Sequence, residues 1–152
     1  MGEIETRLRE MGEALPEAPA PAANYIPFTR SGDLVFVSGQ ISMTADGVVR
    51  GRLGEDMEIE AGARAAKLCA LSLLAQLKAA CDGDLDRLRR VVKLTCFVNS
   101  ASGFTDQPKV ANGCSDFLVD LLGERGRHAR SAVGAALPLG AAVEIEAIFE
   151  AP

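Results

Sequence analysis

The feature that most constrains the fold is a helical periodicity in the middle of the chain, which gives way to a strand periodicity and then returns. From Glu58 to Cys81 the apolar residues recur at the spacing of one helical face. Residues 89 to 99 change to the two-residue alternation of a half-buried strand. Helical spacing resumes from Pro108 to Leu122, where Gly113 in the interior indicates close packing. The order helix, strand, helix predicts two helices packed against a sheet.

Short β-rich segments flank this central unit on both sides. They lie at residues 26–30, 34–43, 48–50, 131–137 and 142–149. Ser31-Gly32-Asp33 joins the first two segments as a hairpin turn, and Pro138-Leu139-Gly140 joins the last two in the same way. The sequence therefore predicts an α+β fold in which a mixed sheet of about six strands carries both helices on one face.

The N-terminal residues predict an appendage to this fold. Ile4, Leu8 and Met11 recur at helical spacing and predict a short helix over residues 2–13. Residues 15–23 contain three prolines, which favour an extended connector. A chain of 152 residues has room for one core. We therefore assign residues 1–152 to a single domain, with residues 1–23 as its N-terminal helix and Pro/Ala-rich connector.

The charge balance and the apolar runs exclude two classes of function. Sixteen basic residues against 21 acidic ones give a net charge of -5, which disfavours binding along a nucleic-acid backbone. No apolar run approaches the roughly 20 residues of a transmembrane helix. The N-terminus lacks the basic and then apolar pattern of a secretory signal. We therefore expect a cytoplasmic protein with neither a membrane nor a nucleic acid as partner.

The cysteines and the single histidine argue against a metal centre. Four cysteines lie 12, 15 and 18 residues apart, so there is no CxxC pair, and His128 is the only histidine. Each cysteine falls within an apolar pattern, where it behaves as a small hydrophobic residue. The sequence therefore predicts no metal site and no redox motif.

Arg130 is the candidate for chemistry, because it stands at the start of an otherwise apolar strand. A guanidinium placed against a sheet needs an anion, and its planar fork suits a carboxylate. Two interpretations remain open: Arg130 binds a small carboxylate ligand, or it forms a structural ion pair with Glu144 or Glu146. His128, two residues earlier, is either a general base or an exposed loop residue.

Several segments, taken together and in this order, resemble the reactive-intermediate deaminase (Rid, or YjgF-like) family, also labelled endoribonuclease L-PSP. They are Tyr25, Ser38-Gly39-Gln40, residues 92–98, Ala129-Arg130-Ser131 and residues 137–147. The resemblance covers roughly residues 24–150. Residues 104–117 are similar to a less characterised branch whose members carry an extra N-terminal helix.

The resemblance implies a chorismate-mutase-like fold, a homotrimer with a central barrel, and clefts between subunits that bind a small-molecule carboxylate. Arg130 would hold the substrate carboxylate, and Glu144 would position or activate water. The remaining cleft residues would be Tyr25, Ser38 and Gly39. The implied reaction hydrolyses 2-imino acids, and their enamine tautomers, to 2-oxo acids and ammonia without a cofactor. A trimer would also cover Val91 and Phe97, which the strand pattern places on the second face of the sheet.

The chain also departs from the family pattern, which leaves alternatives to this enzyme. Ala132 stands where the family often has cysteine, and His128 stands where it often has proline. Ala111 and Asn112 both lie near the position of the helix asparagine that lines many of these sites. The first alternative is a non-catalytic, regulatory trimer that senses a small carboxylate. The second is an endoribonuclease, which the net acidity disfavours.

Overall fold

The computed structural model describes residues 1–20 and 23–152, so residues 21 and 22 of the predicted connector lie outside the described residues. The helices are α1 (Glu3–Glu10), α2 (Ile59–Ala80) and α3 (Gln107–Leu122). The strands are β1 (Phe28–Ser31), β2 (Leu34–Ile41), β3 (Met43–Thr44), β4 (Gly47–Val48), β5 (Arg90–Val98), β6 (Ala129–Gly134) and β7 (Val143–Glu150). Within these residues no helix combines the length and the apolar character needed to cross a bilayer.

A five-stranded mixed sheet in the order β1-β2-β7-β5-β6 forms the body of the fold. Its neighbouring strands are antiparallel except for β5 and β6, which are parallel. Both α2 and α3 pack on one face of the sheet, so the predicted α+β layers are confirmed. The prediction of about six strands in one sheet is wrong, because the short strands β3 and β4 pair only with each other in a separate hairpin.

The predicted hairpin between the last two strands is also wrong. Strand β5 lies between β6 and β7, pairing in parallel with the first and antiparallel with the second. The connection formed by residues 135–142 is long enough to cross β5. Strand β7 is thereby the central strand of the sheet, and its apolar face turns to the core. Its apolar residues Val143, Ile145, Ala147 and Phe149 are all buried. A central strand gains pairing on both edges, which a terminal hairpin would not supply.

The helical face predicted for α2 and the close packing predicted at Gly113 are both confirmed. Ala66, Leu73 and Leu77 are fully buried between α2 and the sheet. A side chain at Gly113 would clash with the carbonyl oxygen of Ala63, so α2 and α3 approach closely there. All four cysteines are free and buried within this core, as predicted.

The sheet face that carries no helix retains apolar side chains, though not all of those predicted. The register of β5 shifts between Val91 and Lys93, and the bulge turns Val91 into the core beside Phe149. Val91 is therefore buried by the helices, contrary to the prediction. Phe97 does project from the open face, where it pairs in register with Val133 of β6 and Glu144 of β7.

Helix α1 is shorter than the predicted helix over residues 2–13. It ends at Glu10, and Gly12 has a φ of 78°, a conformation that leaves the helix. Its apolar residues Ile4 and Leu8 are buried against the body of the fold.

Candidate functional site

Three of the predicted site residues lie together in one cleft of about 640 Å³, on the open side of β2 and β7. Tyr25 comes from the segment before β1, Gly39 from β2 and Glu144 from β7. The rest of the lining is largely apolar and includes Pro27, Ile41, Met43, Pro138 and Leu139. Such a cleft offers one carboxylate within an apolar surface.

A bulge in β2 makes room for this carboxylate. The pairing of β2 with β7 shifts between Val37 and Gln40, so that Ser38 and Gly39 together oppose a single residue of β7. A Cβ on Gly39 would lie 2.9 Å from the Cδ of Glu144 and closer still to its Oε2. The missing side chain therefore allows the Glu144 carboxylate to lie against the β2 backbone.

Glu144 lies in an environment that favours its protonated form. The alternation of β7 turns Glu144 to the open face, while Val143 and Ile145 turn to the core. Partial burial raises the pKa of Glu144 above its usual value, and the neighbouring Glu146 raises it further. A carboxylate with a raised pKa is a stronger proton acceptor once it is ionised.

Ser38 does not line the cleft but holds one of the segments that do. Its Oγ donates a hydrogen bond to the carbonyl oxygen of Ile26 at 2.9 Å, and its backbone N–H donates to the carbonyl oxygen of Pro27 at 2.9 Å. These bonds attach the segment that carries Tyr25 to β2. Tyr25 is 49% exposed and projects at the mouth of the cleft.

Leu139 belongs to the cleft although no sequence pattern identified it. It has a φ of 59°, a left-handed conformation that a branched residue rarely adopts, and it is 64% exposed. The Nε of Arg50 donates to the carbonyl oxygen of Leu139 at 2.8 Å and fixes this turn over the cleft. The positive φ is the feature that distinguishes Leu139, and a positive φ cannot be deduced from the residue type leucine.

Arg130 does not enter this cleft within one chain. It pairs in register with Leu94 of β5 and so projects on the side of the sheet that carries the helices. Glu144 pairs in register with Phe97 and projects on the open side. The structure therefore separates Arg130 from the group formed by Tyr25, Gly39 and Glu144.

Helix α3 holds the Arg130 guanidinium from one side. Its Nη1 donates to the Oδ1 of Asn112 at 2.8 Å and to the Oγ of Ser115 at 3.1 Å. Ala111, the other candidate for the helix asparagine position, is fully buried in the core. Asn112 is thus the helix residue that accompanies the arginine.

The structural ion pair considered from the sequence is absent. Within the described parts of the chain, Arg130 has no carboxylate within ion-pair distance, and neither its Nε nor its Nη2 donates a hydrogen bond. Nε and Nη2 form one edge of the planar fork, the edge that suits the two oxygens of a carboxylate. The arginine is positioned by the protein and keeps an edge for an anion.

His128 belongs to the same cluster as Arg130 and lies apart from Glu144. Its Nδ1 is 2.6 Å from the carbonyl oxygen of Gly126, and its Nε2 is 2.8 Å from the Oγ of Ser115. Because a carbonyl only accepts, Nδ1 carries the hydrogen and Nε2 accepts from the Ser115 hydroxyl. Burial lowers the pKa of His128, an effect to which the charge of Arg130 adds, so the imidazole is neutral.

Among residues 1–20 and 23–152, no three His, Cys, Asp or Glu side chains are grouped so that they could hold a metal ion.

Comparison with known proteins places these features in a family context. Residues 5–147 match a family model described as "YjgF/chorismate mutase-like, putative endoribonuclease". Protein TCP17 of Trypanosoma cruzi is 48% identical, over 98% of this chain and 94% of its own length. The crystal structure of Atu1372 from Agrobacterium tumefaciens, a protein of unknown function, is 50% identical with a TM-score of 0.90, over 98% of this chain and 94% of its own. A Shewanella oneidensis structure that carries the endoribonuclease label is 32% identical with a TM-score of 0.93, over 98% and 99% of the two chains.

Proposed function

The chain belongs to the YjgF/chorismate mutase-like family, which includes the Rid proteins, and from that premise we propose that it is an imine deaminase. It hydrolyses 2-imino acids, and their enamine tautomers, to 2-oxo acids and ammonia. The reaction takes place in clefts between the subunits of a homotrimer. No cofactor takes part in it.

This proposal rests on the guanidinium of Arg130, of which only Nη1 donates hydrogen bonds within the described residues of the subunit. Asn112 and Ser115 bind Nη1 and orient the side chain, while the edge formed by Nε and Nη2 is left for a ligand. A 2-imino acid presents a planar carboxylate next to its reacting carbon. Two parallel hydrogen bonds from the fork would hold that carboxylate in one orientation.

Assembly is what brings Arg130 and Glu144 to the same substrate. The two side chains project from opposite faces of one sheet, so each must meet its counterpart from another subunit. Strand β6, which carries Arg130, is an edge strand and is therefore free to lie against a neighbour. The apolar side chains on the open face support this packing, since Phe36 is 37% exposed and Val133 is 45% exposed.

The chemistry requires one water molecule and one proton acceptor. Glu144 takes a proton from water as the oxygen forms a bond to the imine carbon, and passes it to the imine nitrogen, which gives a tetrahedral amino alcohol. Glu144 then takes the hydroxyl proton and delivers it to that nitrogen as the carbon–oxygen double bond forms and the carbon–nitrogen bond breaks, so that the 2-oxo acid forms and ammonia leaves. One water is consumed and no electron is transferred to or from the substrate. A glutamate with a raised pKa is suited to both proton transfers.

A second candidate function is that of a non-catalytic trimer that binds a small carboxylate. It is favoured by Ala132, because the family often has a cysteine at that position, two residues after the arginine. This protein would use Arg130 to bind a 2-oxo acid and would release no ammonia. Nucleolytic activity is disfavoured, since the net charge of -5 opposes association with a phosphate backbone.

The test is the release of ammonia and 2-oxo acid from imino acids generated freshly in the assay, with wild type and the Arg130→Ala variant in parallel. We expect the wild type to accelerate release above the spontaneous rate and the variant to lose that acceleration. Binding of 2-oxo acids without any acceleration would replace the deaminase with the carboxylate sensor. Absence of both would contradict the two functions together.

A further inference from the structure

The N-terminal appendage is fixed to the body of the fold by contacts of three kinds. Ile4 and Leu8 are each 2% exposed. The carboxylate of Asp86 accepts hydrogen bonds from the backbone N–H groups of Glu3 and Ile4, at 2.8 and 3.0 Å, and so caps the start of α1. Lys78 of α2 binds Glu5 at 2.6 Å. Apolar burial, a cap and an ion pair together make α1 a fixed part of the subunit.

A buried amide continues this attachment into the connector. Gln76 lies on α2 with 1% of its surface exposed, in a helix whose neighbouring buried positions are apolar. Its Nε2 donates to the carbonyl oxygen of Pro19 at 2.7 Å. A buried amide destabilises a core unless it is hydrogen-bonded, so this side chain is tolerated because it binds the connector. Leu15 packs against the core a few residues earlier.

The attached connector ends in the cleft. Pro19 and Ala20 are part of the lining of the same cleft that holds Gly39 and Glu144. Their side chains add to an apolar surface, and no basic residue of the described chain lines this cleft. The surface therefore suits the side chain of a ligand, while its carboxylate would be bound by Arg130 of a neighbouring subunit.

From these contacts we infer that Pro19 and Ala20, held in place by the attachment of residues 1–18 and by Gln76, form a wall of the cleft that determines its specificity. This wall selects 2-imino and 2-oxo acids with a branched or aromatic apolar side chain over those with a methyl group, an inference that rests on the proposed function. A cleft of about 640 Å³ has room well beyond a methyl group. Each buried methylene or methyl group adds about fourfold to affinity, so we expect the three additional carbons of 4-methyl-2-oxopentanoate to make it bind up to about 60-fold more tightly than pyruvate.

The direct test places a larger side chain in the wall of the full-length protein. Ala20→Leu would fill part of the cleft, and we expect it to weaken 4-methyl-2-oxopentanoate binding about tenfold while changing pyruvate binding by less than about twofold. Ala14→Leu is the matched control, because Ala14 is an exposed alanine directly before the connector and does not line the cleft. It should change neither affinity.

A second variant tests the attachment itself. Gln76→Met keeps the volume of the side chain and removes the donor to Pro19, so the wall should loosen. We expect the affinity ratio between the two oxo acids to fall by about threefold or more, with faster deuterium uptake in residues 14–20. If Ala20→Leu affects both oxo acids equally, or neither, the inference is wrong while the proposed function stands. If wild type binds neither oxo acid, the proposed function is wrong and the inference with it.

Discussion

Arg130 and Glu144 project from opposite faces of the same sheet, with β5 between the strands that carry them. Each residue has its own local support, Asn112 and Ser115 for the arginine and Gly39 for the glutamate. Two positioned functional residues that do not meet within one chain are expected where a site is shared between subunits. This relationship makes assembly a condition of the proposed function.

We predict that the protein is a homotrimer in solution. Exposed Phe36 and Val133 on the open face would remain in water in a monomer, at a cost that association removes. Light scattering should give about three times the chain mass of 16.0 kDa. A monodisperse monomer at micromolar concentration would contradict the shared site.

We predict that two inactive variants restore activity when their subunits are mixed. Where an Arg130→Ala subunit contributes Glu144 and a Glu144→Gln subunit contributes Arg130, the cleft between them is intact. Random equimolar co-assembly should recover about a quarter of wild-type turnover, since each mixed trimer holds about one intact cleft in three. The controls are the separately assembled variants, mixed after folding without subunit exchange. No recovery from co-refolded subunits would place both residues in one subunit's site.

We predict that Arg130→Ala abolishes the binding of 2-oxo acids while the protein remains folded and assembled. The hydrogen-bond partners of Arg130 are an exposed Asn112 and a half-buried Ser115, which water can satisfy. Arg130→Lys should fail as well, because an ammonium cannot reproduce the two parallel bonds of the fork. Titration calorimetry and light scattering on the same samples separate binding from assembly. Unfolding of both variants would show that the arginine has a structural role.

The sequence predicts the layers of this fold well because the residues that are buried against the core recur with the period of a helix or a strand. The apolar face of α2 and the alternation of β7 follow directly from which residues meet the core. Strand partners leave no such pattern, since Val143 and Ile145 would be buried beside β6 or beside β5 alike. The predicted terminal hairpin was wrong for that reason. Val91 was assigned to the wrong face because a bulge shifts the alternation without any change in residue type.

The sequence names candidate residues for the site but does not show how they are arranged. The family resemblance named Arg130 and Glu144, but no local pattern states that one faces the helices and the other the open side. Ser115 was missed because a polar residue on an amphipathic helix normally faces water. Its role follows only from its two contacts, one with Arg130 and one with His128.

We predict that Glu144→Gln separates binding from catalysis. The amide keeps the shape of the side chain but cannot accept a proton, and such assistance typically contributes roughly 10²- to 10⁴-fold to the rate. Turnover of an imino acid should fall by about that factor, with little change in oxo-acid affinity. Glu146→Gln is the matched control, because Glu146 is exposed and does not line the cleft. Equal losses in the two variants would indicate an electrostatic effect on the whole face.

The pH dependence of the same reaction gives an independent check on Glu144. Burial and Glu146 raise its pKa above 4.5, so the ionised base is lost at a higher pH than for an ordinary glutamate. On the acid side, kcat/KM should therefore rise with pH through a midpoint above 4.5. Glu146→Gln should move that midpoint downward, because it removes the second cause of the shift.

We predict that His128 makes the stability of the protein depend on pH in one defined window. Burial lowers its pKa from 6.5 and the charge of Arg130 lowers it further, while the hydrogen bond to the carbonyl oxygen of Gly126 only partly opposes this shift. The unfolded chain therefore binds a proton first as the pH falls. The stability that the neutral ring contributes is complete above about pH 6.5 and is lost as the pH falls through the lower folded-state pKa.

Urea unfolding of wild type and His128→Ala between pH 8 and pH 5 measures this contribution of His128 to stability. The free energy of unfolding of wild type should fall more steeply below about pH 6.5 than that of the variant, since all other titrating groups are shared. Parallel curves would show that the histidine titrates alike in the folded and unfolded states, and that the Ser115 hydrogen bond does not depend on a neutral ring.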